Sequence, residues 1–383
     1  MAEELARKDG LILALNSGSS SLKFGIYRRR AYDNDEEPLL TGSAEGIGRR
    51  DGTLNIRSSD GTSLLQRGDL HESQDDALRA LAAAMREHVD SLPAAVGHRV
   101  VHGGPKLRKH QIITAQVLDQ LHAAIHFAPL HIPQALSLIA SAQSIFPAAT
   151  QFACFDDAFH STIPEVASRF ALPHRFFDEG VRRYGFHGIS YESLVHRFGA
   201  DLPRRAIFAH LGNGSSLCAL RNGLSIDTTM GFTPTGGIPM GTRSGDLDPG
   251  VILYLLRNAK LDADRLEYLL NHQSGLFALS SGESDVKTLE ERARSHDPGA
   301  RLALDVFAIS VRKTIGAYMA LLGGVDLLVF TGGIGEHSAR IRSGATDDLE
   351  LLGLTSDKIQ VVPAQEEQQI ARHCRAMMAA GEA

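Results

Sequence analysis

The 383-residue sequence contains no tryptophan and only three cysteines, Cys154, Cys218 and Cys374. The cysteines stand far apart and form no CxxC pair, which excludes a disulfide framework and a thiolate zinc site. No stretch approaches about 18 uninterrupted apolar residues, so the sequence predicts no transmembrane helix. The opening MAEELARKDG lacks the apolar segment of a secretory signal. We therefore expect a soluble, cytoplasmic protein whose thiols stay reduced.

The charge balance is mildly acidic, with 39 lysines and arginines against 45 aspartates and glutamates and a formal net charge of −6. Nucleic-acid-binding domains usually carry a basic stripe, and membrane anchors a polybasic patch, so neither partner is expected. Hydrophobic residues make up 43% of the chain and charged residues 22%, which allows a substantial core. At roughly 100–200 residues per domain, the length predicts two domains.

Several motifs of nucleotide and hydrolase chemistry are also missing. The sequence has no GxxxxGK[ST] string, so a P-loop is not supported. Gly333-Ile334-Gly335 supplies GxG, but no third glycine follows at dinucleotide-binding spacing. Neither GxSxG nor the HRD and DFG strings of protein kinases occur. None of the 17 histidines belongs to an HExxH string, so zinc chemistry is not predicted.

Seven of the 37 glycines lie in three segments that each follow a short apolar run. Such a run, broken by glycine and serine, predicts a strand that ends in a tight turn. In residues 11–27 and 206–220 the apolar pattern resumes after the turn, so we predict β-hairpins there. For residues 326–338 we predict only a strand and its turn. Turns of this composition suit phosphate, because unhindered amides and hydroxyls can point at the oxyanion.

The first two glycine-rich turns resemble each other, since Ser17-Gly18-Ser19-Ser20 is matched by Asn213-Gly214-Ser215-Ser216 about half a chain later. This repeat suggests two domains of like topology. Helices are predicted over residues 73–89 with Ser73 as N-cap, from Pro133 to Ile145, over residues 299–322, and after an Asp248 cap. Strands alternating with helices favour an α/β architecture. The charged run 28–37 is predicted to be a solvated loop.

Five residues with chemically active side chains stand in apolar or glycine-rich surroundings, namely Arg99, His131, Asp156, His187 and Arg243. Each alone has a structural explanation. A histidine beside aromatic residues is often part of the core, an arginine near a glycine turn often binds carbonyls, and an aspartate can cap a turn. Together, two guanidiniums, a carboxylate, a histidine and three phosphate-type turns are the groups that phosphoryl transfer requires.

Around these residues the sequence closely resembles the acetate kinase family, ATP-dependent kinases of short-chain carboxylates. The resemblance runs from residue 15 to residue 371 through LNSGSSSLKF, GHRVVHGG, APLH, FDDAFH, GVRRYGFHG, HLGNGSS, MGFTP, MGTRSGDLDP, SGLFALSSGESD, TGGIGE and VVPAQEEQQIA. It implies the actin-like ATPase fold, an α/β fold in which two ribonuclease-H-like domains flank a nucleotide cleft. Residues 1–153 with 364–383 would form one domain, and residues 154–363 the second, nucleotide-binding one.

The resemblance also implies reversible, Mg²⁺-dependent transfer of phosphoryl from ATP to acetate, giving acetyl phosphate and ADP. Arg99 and Arg243 would flank the acceptor carboxylate and the moving phosphoryl group, His187 would donate to that group, and His131 would support the site. Asp156 would be a catalytic residue that also binds the metal. The implied ligands of Mg²⁺, or of Mn²⁺ in its place, are Asn16, Asp156 and Glu366. The implied substrate pocket consists of Arg99, Val101, Leu130, Phe186 and Pro234.

For ATP, the resemblance implies that the first two glycine-rich turns face the phosphates and the third lines the adenosine pocket. The implied ATP-binding residues are Asn16, Ser17, Gly18, Ser19, Ser20, Lys23, His210, Leu211, Gly212, Asn213, Gly214, Ser215, Asp285, Val286, Lys287, Gly332, Gly333, Ile334 and Gly335. The sequence departs from the family pattern at Ile132, Tyr191, Gly236, Lys287, His337 and Gln365. Tyr191 stands where a second histidine is common, and no role is assigned to it.

Two other functions stay open at this point. A propionate or butyrate kinase of the same family differs in substrate by one or two methylenes, worth only about 1–3 kcal/mol in discrimination. Val101 narrows the implied pocket, which favours acetate. An actin-like ATPase module with a regulatory or partner-driven role is disfavoured, because ATP hydrolysis alone needs no pair of arginines around a carboxylate. We expect direct in-line transfer without a phosphoenzyme. A homodimer is implied by the resemblance alone.

Overall fold

The computed structural model describes residues 10–18, 21–29, 37–48, 52–68, 73–89 and 91–381. The chain separates into two compact units, Met1–Ala158 with Gln365–Ala383, called here the N unit, and Phe159–Ala364, the C unit. The predicted domain limits near residues 153 and 364 stay a prediction, because compactness alone does not show that either unit folds independently.

The strands of the described residues are short and lie in both units. In chain order they are Leu11–Ser17 (β1), Ser21–Arg28 (β2), Leu40–Glu45 (β3), Thr53–Ser58 (β4), Ser63–Gly68 (β5), Pro93–Val100 (β6), Gln111–Ile112 (β7), Thr150–Phe155 (β8), Arg205–Leu211 (β9), Ser215–Arg221 (β10), Leu224–Thr228 (β11), Leu327–Thr331 (β12) and Ile359–Val361 (β13).

The helices connect these strands and cover the sheets. In chain order they are Gln74–His88 (α1), Ala115–Ala123 (α2), Ile132–Ile145 (α3), Glu165–Ser168 (α4), His174–Asp178 (α5), Gly188–Phe198 (α6), Pro249–Arg257 (α7), Ala263–His272 (α8), Gly275–Leu279 (α9), Val286–Arg294 (α10), Pro298–Leu322 (α11), Gly332–His337 (α12), Ala339–Thr346 (α13) and Glu366–Ala379 (α14). Short 3₁₀ segments are Ile125–Phe127, Phe159–Thr162, Gly199–Asp201, Leu349–Leu352 and Ser356–Lys358.

The sheets of the two units share an arrangement of five strands, since β3-β2-β1-β6-β8 of the N unit corresponds to β11-β10-β9-β12-β13 of the C unit. In the N unit the order is β5-β4-β3-β2-β1-β6-β8-β7, and in the C unit it is β11-β10-β9-β12-β13. In each, three consecutive strands form an antiparallel meander, and the first of them continues into parallel neighbours on its other side. The predicted hairpins are confirmed as β1–β2 and β9–β10. The two similar glycine-rich turns therefore occupy equivalent places, as the predicted repeat of topology requires.

Helix ends follow the local signals in most cases. The Ser73 hydroxyl accepts a hydrogen bond from Asp76 N at the start of α1, and Asp248 caps α7 by accepting from Gly250 N. Two predicted starts are corrected: α3 begins at Ile132, so Pro133 is its second residue, and α11 begins at Pro298. Proline tolerates either of the first positions because their N–H groups have no partner within the helix.

The third glycine-rich segment continues differently from the predicted turn. Strand β12 passes directly into helix α12 at Gly332, whose φ is +76°. A Cβ at this position would lie 2.7 Å from the carbonyl oxygen of Leu211, so both the backbone angle and the space require glycine.

Each unit has its own apolar core. In the N unit, the buried faces of β1 and β2 pack with Leu78, Leu81 and Met85 of α1, the residues on the predicted apolar face. In the C unit, α11 supplies the longest buried stripe, against β9, β10 and β12. None of the helices in the described residues combines the length and the hydropathy that a membrane crossing requires. Most of the charged run 28–37, residues 30–36, lies outside the described residues.

Candidate active site

Three parallel strands of the N unit bring Asn16, Arg99 and Asp156 to one edge of the sheet. Strand β6 lies between β1 and β8, and the pairs Leu15–His98 and Val100–Phe155 bring the carboxyl ends of the three strands level. Residues at these ends meet because all three strands run in the same direction, which is where α/β sheets usually bind ligands. Asn16 and Arg99 are near the ends of their strands, and Asp156 follows β8 directly.

The Arg99 guanidinium is held on two sides. Its Nε and Nη2 donate to Asp156 Oδ2 at 2.9 and 2.5 Å, and Nη1 donates to the Ser17 carbonyl at 3.0 Å and to Asn16 Oδ1 at 3.3 Å. The Asp156 side chain is 1% exposed and that of Arg99 15%. Charge-assisted hydrogen bonds of this kind fix the plane of the guanidinium before any substrate binds.

Two further carboxylates reach Asn16 from the first turn of α14. Asn16 Nδ2 donates to Glu366 Oε2 at 2.6 Å and to Glu367 Oε1 at 2.8 Å. Glu366 is a predicted metal ligand, whereas the sequence analysis missed Glu367. The sequence feature that could have indicated Glu367 is the pair of glutamates at the start of the final helix. It is ambiguous because acidic residues in a first turn also interact favourably with the helix dipole. We call Asn16, Arg99, Asp156, Glu366 and Glu367 the carboxylate cluster.

Burial and like charges shift the proton affinities in the carboxylate cluster. Burial raises the pKa of Asp156 to about 6, with Arg99 opposing the shift and Glu366 adding to it. Burial and then Glu366 raise the pKa of Glu367. For Arg99, burial acts to lower the pKa, but attraction by Asp156 and Glu366 outweighs it and the pKa lies above its usual range. One guanidinium thus faces three carboxylates.

This donor set fits a hard divalent cation. The side chains supply carboxylate and amide oxygens, the ligands that Mg²⁺ prefers. Burial, and after it the negative charge of Glu366, raise the carboxyl pKa values of Asp156 and Glu367. A bound cation would offset that negative charge. The assignment of Asn16, Asp156 and Glu366 as metal ligands stays a prediction.

The other predicted residues of the N unit lie around this edge or further along the chain. Lys23 pairs with Asn16 across the β1–β2 hairpin and is exposed. The Gly18 amide donates to the Ser21 carbonyl at 2.8 Å, whereas Ser19 and Ser20 lie outside the described residues. His131 immediately precedes α3. Val101 is half-buried, and Leu130 is 40% exposed.

In the C unit, the turn between β9 and β10 brings a histidine and an arginine together. A Cβ added at Gly214 would lie 3.2 Å from His187 Nε2 and 3.5 Å from Arg243 Nη1. The Gly212 amide donates to the Gly214 carbonyl at 3.1 Å, and the Ser215 hydroxyl donates to the Gly212 carbonyl at 2.9 Å. The turn is therefore shaped by its own hydrogen bonds, and glycine at 214 leaves room for both side chains.

His187 belongs to a group of largely buried hydroxyl and imidazole side chains that bind one another. Its Nδ1 lies 2.8 Å from Ser216 Oγ, which lies 2.6 Å from the Tyr191 hydroxyl. The His187 ring stacks on His210 with centroids 4.3 Å apart, and His210 Nδ1 lies 2.8 Å from Ser190 Oγ. We call His187, Ser190, Tyr191, His210 and Ser216 the histidine cluster.

The segment that carries Arg243 is attached to the same turn. Gly241 N donates to the Asn213 carbonyl at 3.3 Å, and Arg243 Nη1 donates to the Pro234 carbonyl at 3.3 Å. Pro234 is buried, and Phe186, beside His187 in sequence, is 1% exposed. Val101 and Leu130 belong to the N unit, so the assignment of these four residues to one substrate pocket stays a prediction.

The third glycine-rich segment lies beside the second one. Strand β12 runs parallel to β9 with Thr331 opposite His210, so Gly332 follows where Leu211 ends β9. The Gly332 amide donates to Glu336 Oε1 at 3.0 Å, Gly333 has open space on its Cβ side, and Ile334 packs against the core. Gly335 is buried in the same helix.

The predicted adenosine residues from the 280s begin helix α10. The Asp285 carboxylate caps this helix by accepting from Thr288 N and Oγ1 at 2.8 and 2.9 Å. Val286 is buried in the core, and Lys287 is exposed. Their role in binding adenosine stays a prediction.

A polar cavity of about 350 Å³ also lies in the C unit. It is lined by Arg183, Asp227, Lys313 and Tyr318 among others, and not by the residues predicted to bind ATP or acetate. Cavity size alone therefore does not locate the candidate site, which rests on the side-chain geometry described above.

Comparison with known proteins shows the family of the chain. Residues 11–379 match the acetokinase family. The chain belongs to this family. Membership identifies it as an enzyme, a phosphotransferase that uses a carboxyl group as acceptor, and confirms the predicted resemblance and actin-like α/β fold.

Similar family members cover nearly the whole chain. An acetate kinase from Methylocella silvestris is 38% identical over 398 residues, which span 96% of this chain and 98% of the relative. The crystal structure of Porphyromonas gingivalis acetate kinase superposes with a TM-score of 0.84 at 32% identity, covering 96% of this chain and 100% of that one. A propionate kinase from Francisella tularensis superposes with a TM-score of 0.87 at 34% identity, covering 95% and 98%.

Proposed function

We propose that this chain is an acetate kinase that transfers the γ-phosphoryl group of ATP reversibly to acetate, giving acetyl phosphate and ADP. The observation that carries the proposal is the approach of His187 Nε2 and Arg243 Nη1 to Gly214, in a turn of the type that binds phosphate. Family membership supplies the acceptor class, and the two side chains supply donors for phosphoryl oxygens.

The chemistry needs little proton transfer. Acetate is an anionic nucleophile at neutral pH, so the main obstacle is its repulsion from the triphosphate. Arg99, oriented by Asp156, and Arg243 would offset that repulsion. An arginine acting on a transferring phosphoryl group typically contributes roughly 10³–10⁵ in rate. Because no side chain has to become phosphorylated, we propose direct in-line transfer.

We further propose Mg²⁺ as the metal, with Asn16, Asp156 and Glu366 as its ligands, partly through water, and with Glu367 beside them. When bound, the cation would neutralise phosphate charge as it develops on the leaving ADP. The chain's own part is to keep these oxygens ionised and in place, which Asn16 does by donating to both glutamates.

Propionate is the second candidate acceptor, because the similar structure from Francisella tularensis is named a propionate kinase. We favour acetate because Val101 is larger than glycine or alanine at the predicted methyl-binding position. One methylene alters discrimination by only about 1–3 kcal/mol, so the preference is a matter of degree.

We also propose that the enzyme is a cytoplasmic homodimer, as the family resemblance implies. One surface supports a second copy as the partner: helix α7 has no buried residue and exposes Val251, Leu253, Tyr254 and Leu256. Exposed apolar faces of this kind usually mark interaction sites. Light scattering should give twice the chain mass of 41.3 kDa, and Leu253→Asp with Tyr254→Asp should give the single mass. A monomeric wild-type protein contradicts the dimer.

The experiment that tests the function is a panel of acetate, propionate and butyrate with ATP or pyrophosphate as donor, with acyl phosphate trapped by hydroxylamine. We expect the highest kcat/KM for acetate with ATP. A larger acid in first place would reassign the acceptor, and a preference for pyrophosphate would reassign the donor. ATP turnover that does not depend on any carboxylate would favour an actin-like ATPase module instead. Ping-pong kinetics with an isolable phosphoprotein would contradict direct transfer.

A further inference from the structure

Tyr191 connects to His187 through a single serine. It is the fourth residue of α6, its side chain is fully buried, and its amide donates to the His187 carbonyl at 3.1 Å. The distances from the Tyr191 hydroxyl to Ser216 Oγ, 2.6 Å, and from Ser216 Oγ to His187 Nδ1, 2.8 Å, are both those of good hydrogen bonds. A chain of two hydroxyls therefore ends on one nitrogen of the histidine ring.

The direction of this chain follows from the surroundings of the tyrosine oxygen. Burial raises the pKa of Tyr191 well above its ordinary value, so the phenol keeps its proton. Among the described residues, Ser216 Oγ is the acceptor within reach of that proton. With Tyr191 donating to Ser216, His187 Nδ1 is, among the described residues, the acceptor within reach of the serine proton.

The ring that accepts at Nδ1 carries its proton on Nε2 when it is neutral. Two neighbours favour the neutral state. The His210 ring is stacked 4.3 Å away, and Arg243 Nη1 approaches the same glycine as His187 Nε2. A positive charge on His187 would be placed beside a fixed guanidinium, which disfavours protonation.

We propose that Tyr191 is a positioning residue that, through Ser216, holds His187 as the neutral tautomer with its proton on Nε2, the nitrogen beside Gly214. In the proposed reaction, the Nε2–H group would donate to an oxygen of the transferring phosphoryl group. This inference rests on the proposed function for its purpose, but the tautomer itself is a property of the protein without substrate. Tautomer choice by the partner of the other nitrogen is a general property of active histidines.

The test is ¹⁵N NMR of histidine side chains in the full, substrate-free chain, with the His187 signals assigned by their loss in His187→Gln. We expect wild type to show Nε2 protonated and Nδ1 unprotonated. Tyr191→Phe keeps the ring and removes the hydroxyl, so both tautomers should appear. The kcat for acetyl phosphate formation should fall about three- to tenfold, the bias that one neutral hydrogen bond supplies, with KM values unchanged.

Tyr184→Phe is the matched control, because Tyr184 is also fully buried in the C unit but donates its hydroxyl to the Gly180 carbonyl. It should leave the His187 tautomer unchanged. Ser216→Ala breaks the same chain at its middle and replaces Tyr191→Phe if that variant does not fold. Wild-type protein with Nδ1 protonated, or a tautomer unaffected by both substitutions, would overturn the inference. If no acyl phosphate forms but the tautomer responds as expected, the proposed function fails and the positioning role stands.

Discussion

The carboxylate cluster of the N unit and the histidine cluster of the C unit differ in the kind of interaction that holds their side chains in place. In the first, one guanidinium is bound among three carboxylates, and burial raises the carboxyl pKa of Asp156 to about 6. In the second, hydroxyl and imidazole groups form hydrogen bonds of 2.6–2.8 Å with one another, and no carboxylate takes part in these bonds. The carboxylate cluster therefore holds its active side chain, Arg99, by ionic hydrogen bonds, whereas the histidine cluster holds His187 by contacts with a hydroxyl and an imidazole.

The two clusters should therefore differ in their sensitivity to mutation. Buried ions depend strongly on their partners, because a charge left alone in the interior is costly, whereas the loss of one neutral hydrogen bond costs far less. The carboxylate cluster should therefore respond to mutation in both stability and metal binding. The histidine cluster should respond mainly in kcat or KM.

Removal of either arginine should cause the greatest loss of activity, and the two variants should differ in how much stability they lose. Arg99→Ala and Arg243→Ala should each lower kcat by about 10³–10⁵, because each removes a guanidinium from the transferring phosphoryl group. Arg99→Ala should also lower the melting temperature, since the buried Asp156 carboxylate loses the guanidinium that is bound to it. Arg243 donates to the neutral Pro234 carbonyl, so its removal should lower the melting temperature less. Full activity in either variant, or equal losses of stability, would contradict this assignment.

The second prediction tests how strongly the carboxylate cluster depends on the ion pair between Asp156 and Arg99. Asp156→Asn should cost about 3–5 kcal/mol in the free energy of unfolding measured with urea, the usual cost of breaking a buried ion pair from one side. Ser216→Ala, the comparison from the histidine cluster, should cost about 1–3 kcal/mol. A smaller loss for Asp156→Asn than for Ser216→Ala would refute the distinction between the clusters.

The third effect concerns a neutral histidine next to the ionic site. His98 and Arg99 are successive residues of β6, so they point to opposite faces of the sheet, and His98 Nε2 donates to Gln151 Oε1 at 2.8 Å within the core. Burial lowers the pKa of His98 from 6.5 to about 4. The unfolded chain therefore binds a proton below about pH 6.5 that the folded chain does not accept until about pH 4.

Folding stability contributed by neutral His98 is thus fully present above pH 6.5 and is lost as the pH falls toward 4, by about 3 kcal/mol. Protonation of Asp156, whose pKa burial raises to about 6, acts in the opposite direction over part of this range. The His98 contribution is therefore measured as the difference between two urea-unfolding profiles at pH 7, 6, 5 and 4.5, with and without His98. The double variant His98→Leu with Gln151→Leu removes both partners. The slope of its unfolding free energy against pH should differ from that of the wild type by the uptake of about one proton. An unchanged slope in the double variant would show that other groups account for the acid sensitivity.

The smallest expected effect is in the histidine cluster. Ser190→Ala removes the hydroxyl 2.8 Å from His210 Nδ1 and should raise the KM for ATP about two- to tenfold without loss of fold. Ser193→Ala on the same helix is the control, because its hydroxyl donates to the Ser190 carbonyl. Steady-state kinetics with varied ATP distinguishes the two. Equal KM changes would indicate a general effect on α6 and not on His210.

The features that sequence reasoning predicted correctly are local ones. Ser73 and Asp248 cap helices through amides two or three residues away, so short patterns suffice to locate them. The hairpins were predictable because strand, turn and strand are continuous in sequence. Helix α12 was missed because its start depends on Gly332 adopting a positive φ against the carbonyl of a separate strand.

By itself, the sequence determined the β-hairpins, the helix caps at Ser73 and Asp248, the likeness of the two domains and the family, because each rests on contiguous or repeated patterns. Only the tertiary structure decided which partners the chemically active groups have. Asn16 binds Glu366 and Glu367 across 350 and 351 residues of chain, and Ser216 of strand β10 connects Tyr191 of helix α6 to His187. Such pairings depend on distance, burial and dielectric surroundings, and these quantities exist only once the chain is packed.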